Sequence, residues 1–238
     1  RGSSTLLLGP AGSGKSSIAA QFAAAAAQRG ERAASFIFDE GASNYLARAA
    51  GLGRDMRELV EAGHMSLQQI DPAELSPGEF AHFVCRAVDE DGARVVVIDS
   101  LNGYLQAMPD ERFLTVQMHE LLTYLNQKGV VTILVMAQHG FMGSQMGTPI
   151  DVSYLADTVL LLRFFEARGE VRRAISVVKK RTGYHENTIR EMRMSSGGIA
   201  VGEPLKEFHG VLTGLPNYRR SSGEEIREEP GERGDADA

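Results

Sequence analysis

The eight residues Gly9-Pro10-Ala11-Gly12-Ser13-Gly14-Lys15-Ser16 restrict the fold of this chain more than any other stretch. They match G-x-x-x-x-G-K-[ST] between two contrasting flanks. Residues 5–8 (TLLL) form a short apolar run, and residues 14–29 carry a helical pattern that Gly30 stops. Residues 23–27 are all alanine, the strongest helix former and small enough for close packing on a sheet. A glycine-rich loop between strand and helix turns backbone N–H groups inward at a helix N-terminus, which makes a nest for phosphate. Lys15 adds a mobile charge suited to β- and γ-phosphates. The Ser16 hydroxyl is small enough to reach Mg²⁺ beside them, and Ser17 completes the nucleotide-binding set.

The chain beyond the loop alternates in period. Strands are expected at 34–38 (ASFIF), 65–70, 94–98 (RVVVI) and 130–137 (VVTILVMA), and helices at 44–50, 56–62, 77–91 and 110–128. Ser76-Pro77-Gly78-Glu79 reads as a capping box with proline at the first helical position. Phe80, Phe83, Val84, Ala87 and Val88 then recur on one helical face. Continuous apolar strands between amphipathic helices imply a mostly parallel α/β sheet covered on both faces. After Gln138 the pattern changes to a polar loop running to about Asp151. Strands then follow at 157–165, 170–178, 189–194 and 199–201, with a turn at Ala167-Arg168-Gly169. The sheet is therefore expected to finish with antiparallel additions.

Charge and cysteine count narrow the class. The chain has 238 residues and a net charge of −6. Residues 219–238 hold 7 acids and 4 bases, so that half of the excess sits in one short segment. With Ile226 as its one large aliphatic residue, this acidic tail is expected to be disordered, leaving residues 1–218 as one domain. A mildly acidic chain lacks the broad electrostatic footprint of a nucleic-acid coat. One cysteine, Cys85, excludes an intramolecular disulfide framework and fits the cytoplasm. No apolar run approaches 18 residues, so no membrane span is expected. The chain starts with Arg1 rather than methionine, four residues before a strand, and is read as an N-terminally truncated fragment.

Four further residues fall at three strand ends, where ligands of parallel sheets bind. Asp99 follows Val95–Ile98 and reads as a Walker-B acid holding water on the metal with Ser16, or as a turn residue. Asp39 and Glu40 follow the strand at 34–38 and read as water-polarising carboxylates, or as a solvated strand end. Gln138 ends another apolar strand and reads equally as a γ-phosphate sensor or a cap.

With these residues in place the chain resembles KaiC-type ATPases of the RecA-like P-loop class, and most closely the second, C-terminal ATPase half of two-domain members. Four stretches carry the likeness: the loop at residues 9–16, Phe38-Asp39-Glu40, Val97-Ile98-Asp99-Ser100-Leu101, and residues 153–195. Phe141-Met142-Gly143 also suits the C-terminal half. The resemblance implies ATP and Mg²⁺ at subunit interfaces of a homo-hexameric ring, with regulatory protein partners. It assigns Lys15, Asp39 and Glu40 to catalysis. Lys179, Arg181 and His185 match positions that reach a neighbour's nucleotide, where cations stabilise developing phosphoryl charge. Ser153 and Tyr154 occupy the places of two hydroxyl residues that accept phosphate.

Two departures from the family stand out. Tyr154 carries its oxygen far out on a rigid ring, so that Ser153 is the favoured acceptor. Asp39 replaces a glutamate and shortens the reach of one carboxylate, so slow turnover is expected. The expected function is a slow ATPase and serine/threonine autokinase. The alternatives are a nucleotide-gated binding module, or a DNA-dependent RecA-like ATPase, which the charge disfavours.

Overall fold

Strand β4 (Ala93–Asp99) shows how the sheet divides two cores. Its side chains alternate between faces. Val95 and Val97 enter one apolar cluster, and Val96 and Ile98 enter the other. All four are at most 5% exposed, which explains why the strand reads as an unbroken apolar run.

The computed structural model describes residues 2–106, 111–138, 154–213 and 217–218. The expected loop at 139–151, Ser153 and the tail at 219–238 lie outside them. The chain begins with β1 (Ser3–Pro10), α1 (Lys15–Gln28), β2 (Arg32–Ile37), α2 (Ala42–Gly51), α3 (Arg57–Glu61) and β3 (Met65–Gln69). It continues through α4 (Pro77–Asp89), β4, α5 (Leu101–Gln106), α6 (Glu111–Gln127) and β5 (Val131–Gln138). Strands β6 (Thr158–Ala167), β7 (Glu170–Lys180), β8 (Arg190–Ser195) and β9 (Gly198–Pro204) follow. A small pair, β10 (Phe208–His209) and β11 (Asn217–Tyr218), lies apart.

The main sheet has the order β3-β2-β4-β5-β1-β6-β7-β8-β9. Neighbours from β3 to β6 run parallel, and β7, β8 and β9 add antiparallel. This is the RecA-like P-loop architecture expected from the sequence. Helix α1 packs one face of the sheet with α2 and α3, and its buried Ala23, Ala24, Ala26 and Ala27 let it lie close to the strands. Helices α4, α5 and α6 cover the other face through Phe80, Val84, Leu101, Leu114 and Met118. Each such buried side chain contributes about 1.5–3 kcal/mol.

Helix α4 starts as its sequence foretells. The Glu79 N–H donates to Ser76 Oγ at 3.3 Å, and the Ser76 N–H donates to Glu79 Oε2 at 2.9 Å. Short α5 was not expected. Its Asn102 clamps β5: Nδ2 donates to the Ala137 carbonyl at 3.1 Å, and Oδ1 accepts from the Ala137 N–H at 2.7 Å. Among the described residues no helix is long and apolar enough to cross a membrane.

Candidate nucleotide site

The carboxyl ends of β1, β2, β4 and β5 lie together because those strands are adjacent and parallel. A cavity of about 530 Å³ opens at that edge. Its lining includes Gly12, Gly14, Lys15, Ser16 and Ser17 from the loop and first turn of α1, Asp39 and Glu40 after β2, and Asp99 and Ser100 after β4. Gly12 and Ser100, 88 positions apart in sequence, thus meet in one hollow.

Gly14 caps α1 in the left-handed region at φ +103°. A side chain there would be strained, and its Cβ would fall 2.8 Å from Met194 Sδ on β8. No side chain caps the helix, so the N–H groups of its first turn are left for an anion. The Lys15 ammonium donates to the Pro10 carbonyl at 2.7 Å. Burial pushes Lys15 down to about 8, although Asp99 pulls the other way.

Ser16 Oγ donates to Asp99 Oδ1 at 3.0 Å. Burial raises Asp99 to about 6, against the Ser16 hydrogen bond and Arg48, which favour its charged form. Asp99 Oδ2 is buried without a hydrogen-bond partner. A hydroxyl beside a carboxylate with an unused oxygen is a donor set that fits a hard cation such as Mg²⁺. These residues would hold the metal beside phosphate.

The two carboxylates after β2 are both engaged by neighbours. The Ser100 hydroxyl donates to Asp39 Oδ2, and Arg48 Nη2 donates to Glu40 Oε1. Arg48 also donates to Ser17 Oγ at 3.2 Å and lies 4.9 Å from the Tyr45 ring centroid. Sequence reasoning missed Arg48 and Ser100. The Val97–Leu101 stretch held a signal for Ser100, but an arginine in an amphipathic helix carries none. It also missed Arg173, whose Nε donates to the Gly12 carbonyl at 3.4 Å.

Other expected residues do not line the cavity. Gln138 pairs in register with Pro10, and its Oε1 accepts from Arg163 Nη1 at 2.8 Å. Lys179 on β7 faces Val159 in register, and Lys180 faces Thr158, which itself lies beside Thr5. That is the amino-terminal edge of the parallel strands, opposite the phosphate loop. Arg181 is tied there: its N–H donates to the Asp157 carbonyl at 2.8 Å, and its guanidinium meets Asp157 at 3.7 Å and the Tyr154 carbonyl. His185 is half-buried and does not line the cavity. Tyr154 is 52% exposed.

Comparisons with known proteins give the family. A family model described as "ATPase: KaiC" matches residues 1–206. The circadian clock oscillator protein KaiC of Picosynechococcus sp. is 27% identical over 211 residues, 89% of this chain and 41% of that protein. Its counterpart in Synechococcus elongatus is 25% identical over 211 residues, 89% of this chain and 40% of that one. The circadian clock protein KaiC3 of Synechocystis sp. is 26% identical over 222 residues, 93% and 44% of the two chains. The chain spans about two fifths of the length of these relatives. With a phosphate loop, a cation-suited acid and a RecA-like sheet, and a family match over most of its length, the chain belongs to the KaiC family of ATPases.

Proposed function

We propose that this chain binds Mg²⁺·ATP in the cavity at the end of β1 and hydrolyses it slowly. The observation that carries this reading is the Ser16–Asp99 pair, which faces the same hollow as Lys15 and keeps one carboxylate oxygen unused. The first turn of α1 takes the phosphates, and Lys15 leaves the Pro10 carbonyl for the β- and γ-phosphates. Bound Mg²⁺ offsets negative charge on the phosphate oxygens. Asp39 and Glu40 orient the attacking water, Glu40 with the longer reach. Gln138 senses the γ-phosphate from the adjacent strand end.

The finer reading follows the resemblance. The folded domain is residues 1–218, with 219–238 as a tail, and it is most similar to a C-terminal KaiC half. Copies assemble into a hexamer in the cytoplasm, and regulatory proteins bind the ring. Lys179, Arg181 and His185 serve a neighbour's nucleotide. Lys179 and Arg181 lie at the edge opposite the phosphate loop, and none of the three lines the cavity of its own chain, which supports this reading. Ser153 accepts phosphate in preference to Tyr154.

One experiment tests these points together. The full chain is incubated with Mg²⁺·ATP, its assembly mass is measured, and phosphate is mapped across residues 147–163. A hexamer bearing phosphate on Ser153 is expected. A persistent monomer without phosphate overturns the ring and autokinase reading. ATP-dependent assembly with no phosphate release would select the binding-module alternative instead.

A further inference from the structure

Arg48 is held more tightly than a helix-surface arginine needs. Its guanidinium is ion-paired to Glu40, donates to Ser17 Oγ at 3.2 Å, and packs 4.9 Å from the Tyr45 ring centroid. Tyr45 is itself fully buried. Tyr45 and Arg48 stand three residues apart on α2 and share a helix face. Glu40 precedes α2, whereas Ser17 lies in the first turn of α1. One side chain therefore bridges the segment that carries the carboxylates and the helix that starts the phosphate site. Arg48 and Glu40 also line the same cavity.

The geometry points to Arg48 as the positioning residue for Glu40, holding that carboxylate beside the first turn of α1 where a water attacking the terminal phosphate must be oriented. A planar guanidinium can serve two acceptors at once from a stacked position; an ammonium is a single point charge. Free of Arg48, the Glu40 side chain gains rotamers that face away from the site. Catalysis that depends on alignment is lost steeply with small displacements. The inference rests on the proposed role of Glu40, and it predicts that Arg48 acts on hydrolysis chiefly through that residue, with a smaller electrostatic effect on Asp99.

A double-mutant cycle in the full chain tests it. Arg48→Met keeps an apolar stem against Tyr45, and Arg48→Lys keeps the charge without the fork. Steady-state ATP hydrolysis and equilibrium binding of a fluorescent ATP analogue are measured for both, for Glu40→Gln, and for Arg48→Met with Glu40→Gln. Arg48→Met is expected to lower kcat about tenfold to a hundredfold with KM and binding little changed. Arg48→Lys should recover part of the loss. On the Glu40→Gln background, Arg48→Met should cost much less than it does alone. An equal loss on both backgrounds, a loss in binding with kcat unchanged, or no loss at all overturns the inference. If Glu40→Gln alone leaves hydrolysis unaltered, the proposed role of Glu40 fails. If Glu40→Gln lowers kcat and Arg48→Met does not, only the inference about Arg48 fails.

Discussion

Ser16 and Asp99 are 83 residues apart in sequence and 3.0 Å apart in space, hydroxyl to carboxylate. The bond ties the first turn of α1 to the end of β4. It leaves Asp99 Oδ2 buried and unpaired, the feature of this site that most calls for a cation. Chelation by EDTA is therefore expected to weaken ATP hydrolysis strongly. Asp99→Asn should lower the Mg²⁺-supported rate at least about a hundredfold, comparable to removing one strong transition-state contact. Phosphate release, measured with and without metal, checks both.

Lys15 trades stability for function. Burial lowers it from 10.5 to about 8, so below pH 8 the folded chain holds a proton that its surroundings disfavour. That penalty is complete below about pH 8. It fades as pH rises toward 10.5, where the unfolded chain also loses its proton. Lys15→Met removes the penalty and also the bond to Pro10, for a net gain of about 1–3 kcal/mol at pH 7. The variant should melt higher without nucleotide yet gain no further stability from ATP. Thermal unfolding with and without Mg²⁺·ATP measures both effects.

Helix α4 depends on its start. Ser76→Ala removes the hydroxyl that accepts from the Glu79 N–H, and should cost about 1 kcal/mol. For a chain of this size that is a fall of about 2–4 °C in Tm. Nucleotide affinity should not change, because α4 lies on the sheet face away from α1. Calorimetry and a binding titration separate the two.

Gly103 is a close-approach position beneath the carboxylates. A Cβ there would overlap Phe38 Cβ and come within 3.1 Å of Asp39 Oδ1. Gly→Ala in a helix usually stabilises by roughly 0.5–1 kcal/mol. Here the sign should reverse, and the displaced Asp39 should lower kcat about tenfold. Single-turnover hydrolysis and chemical denaturation test this.

Much of this site was legible because short-range rules act on it. The phosphate loop has fixed spacing, and β4 announces itself by a run that only burial on both faces allows. The Ser76–Glu79 box needs four consecutive residues and nothing else. Helix α5 was not legible: six residues with a central glycine have no helical pattern of their own, and Asn102 secures them through Ala137, thirty-five residues away. Arg48 was hidden for the same reason. Its role depends on α2 folding back against α1, so in sequence it is one more charge on an amphipathic helix. The strand edge chosen by Lys179 and Arg181 likewise emerges only once β7 pairs antiparallel with β6.

The most direct measurement is phosphate release from Mg²⁺·ATP by the full chain, beside Asp39→Asn and Glu40→Gln, with ATP affinity determined for each. The account predicts slow release from the unaltered chain, affinities within about twofold of one another, and release reduced at least about tenfold in Glu40→Gln. Equal rates in all three chains, or ATP bound by the unaltered chain with no phosphate released, would contradict it.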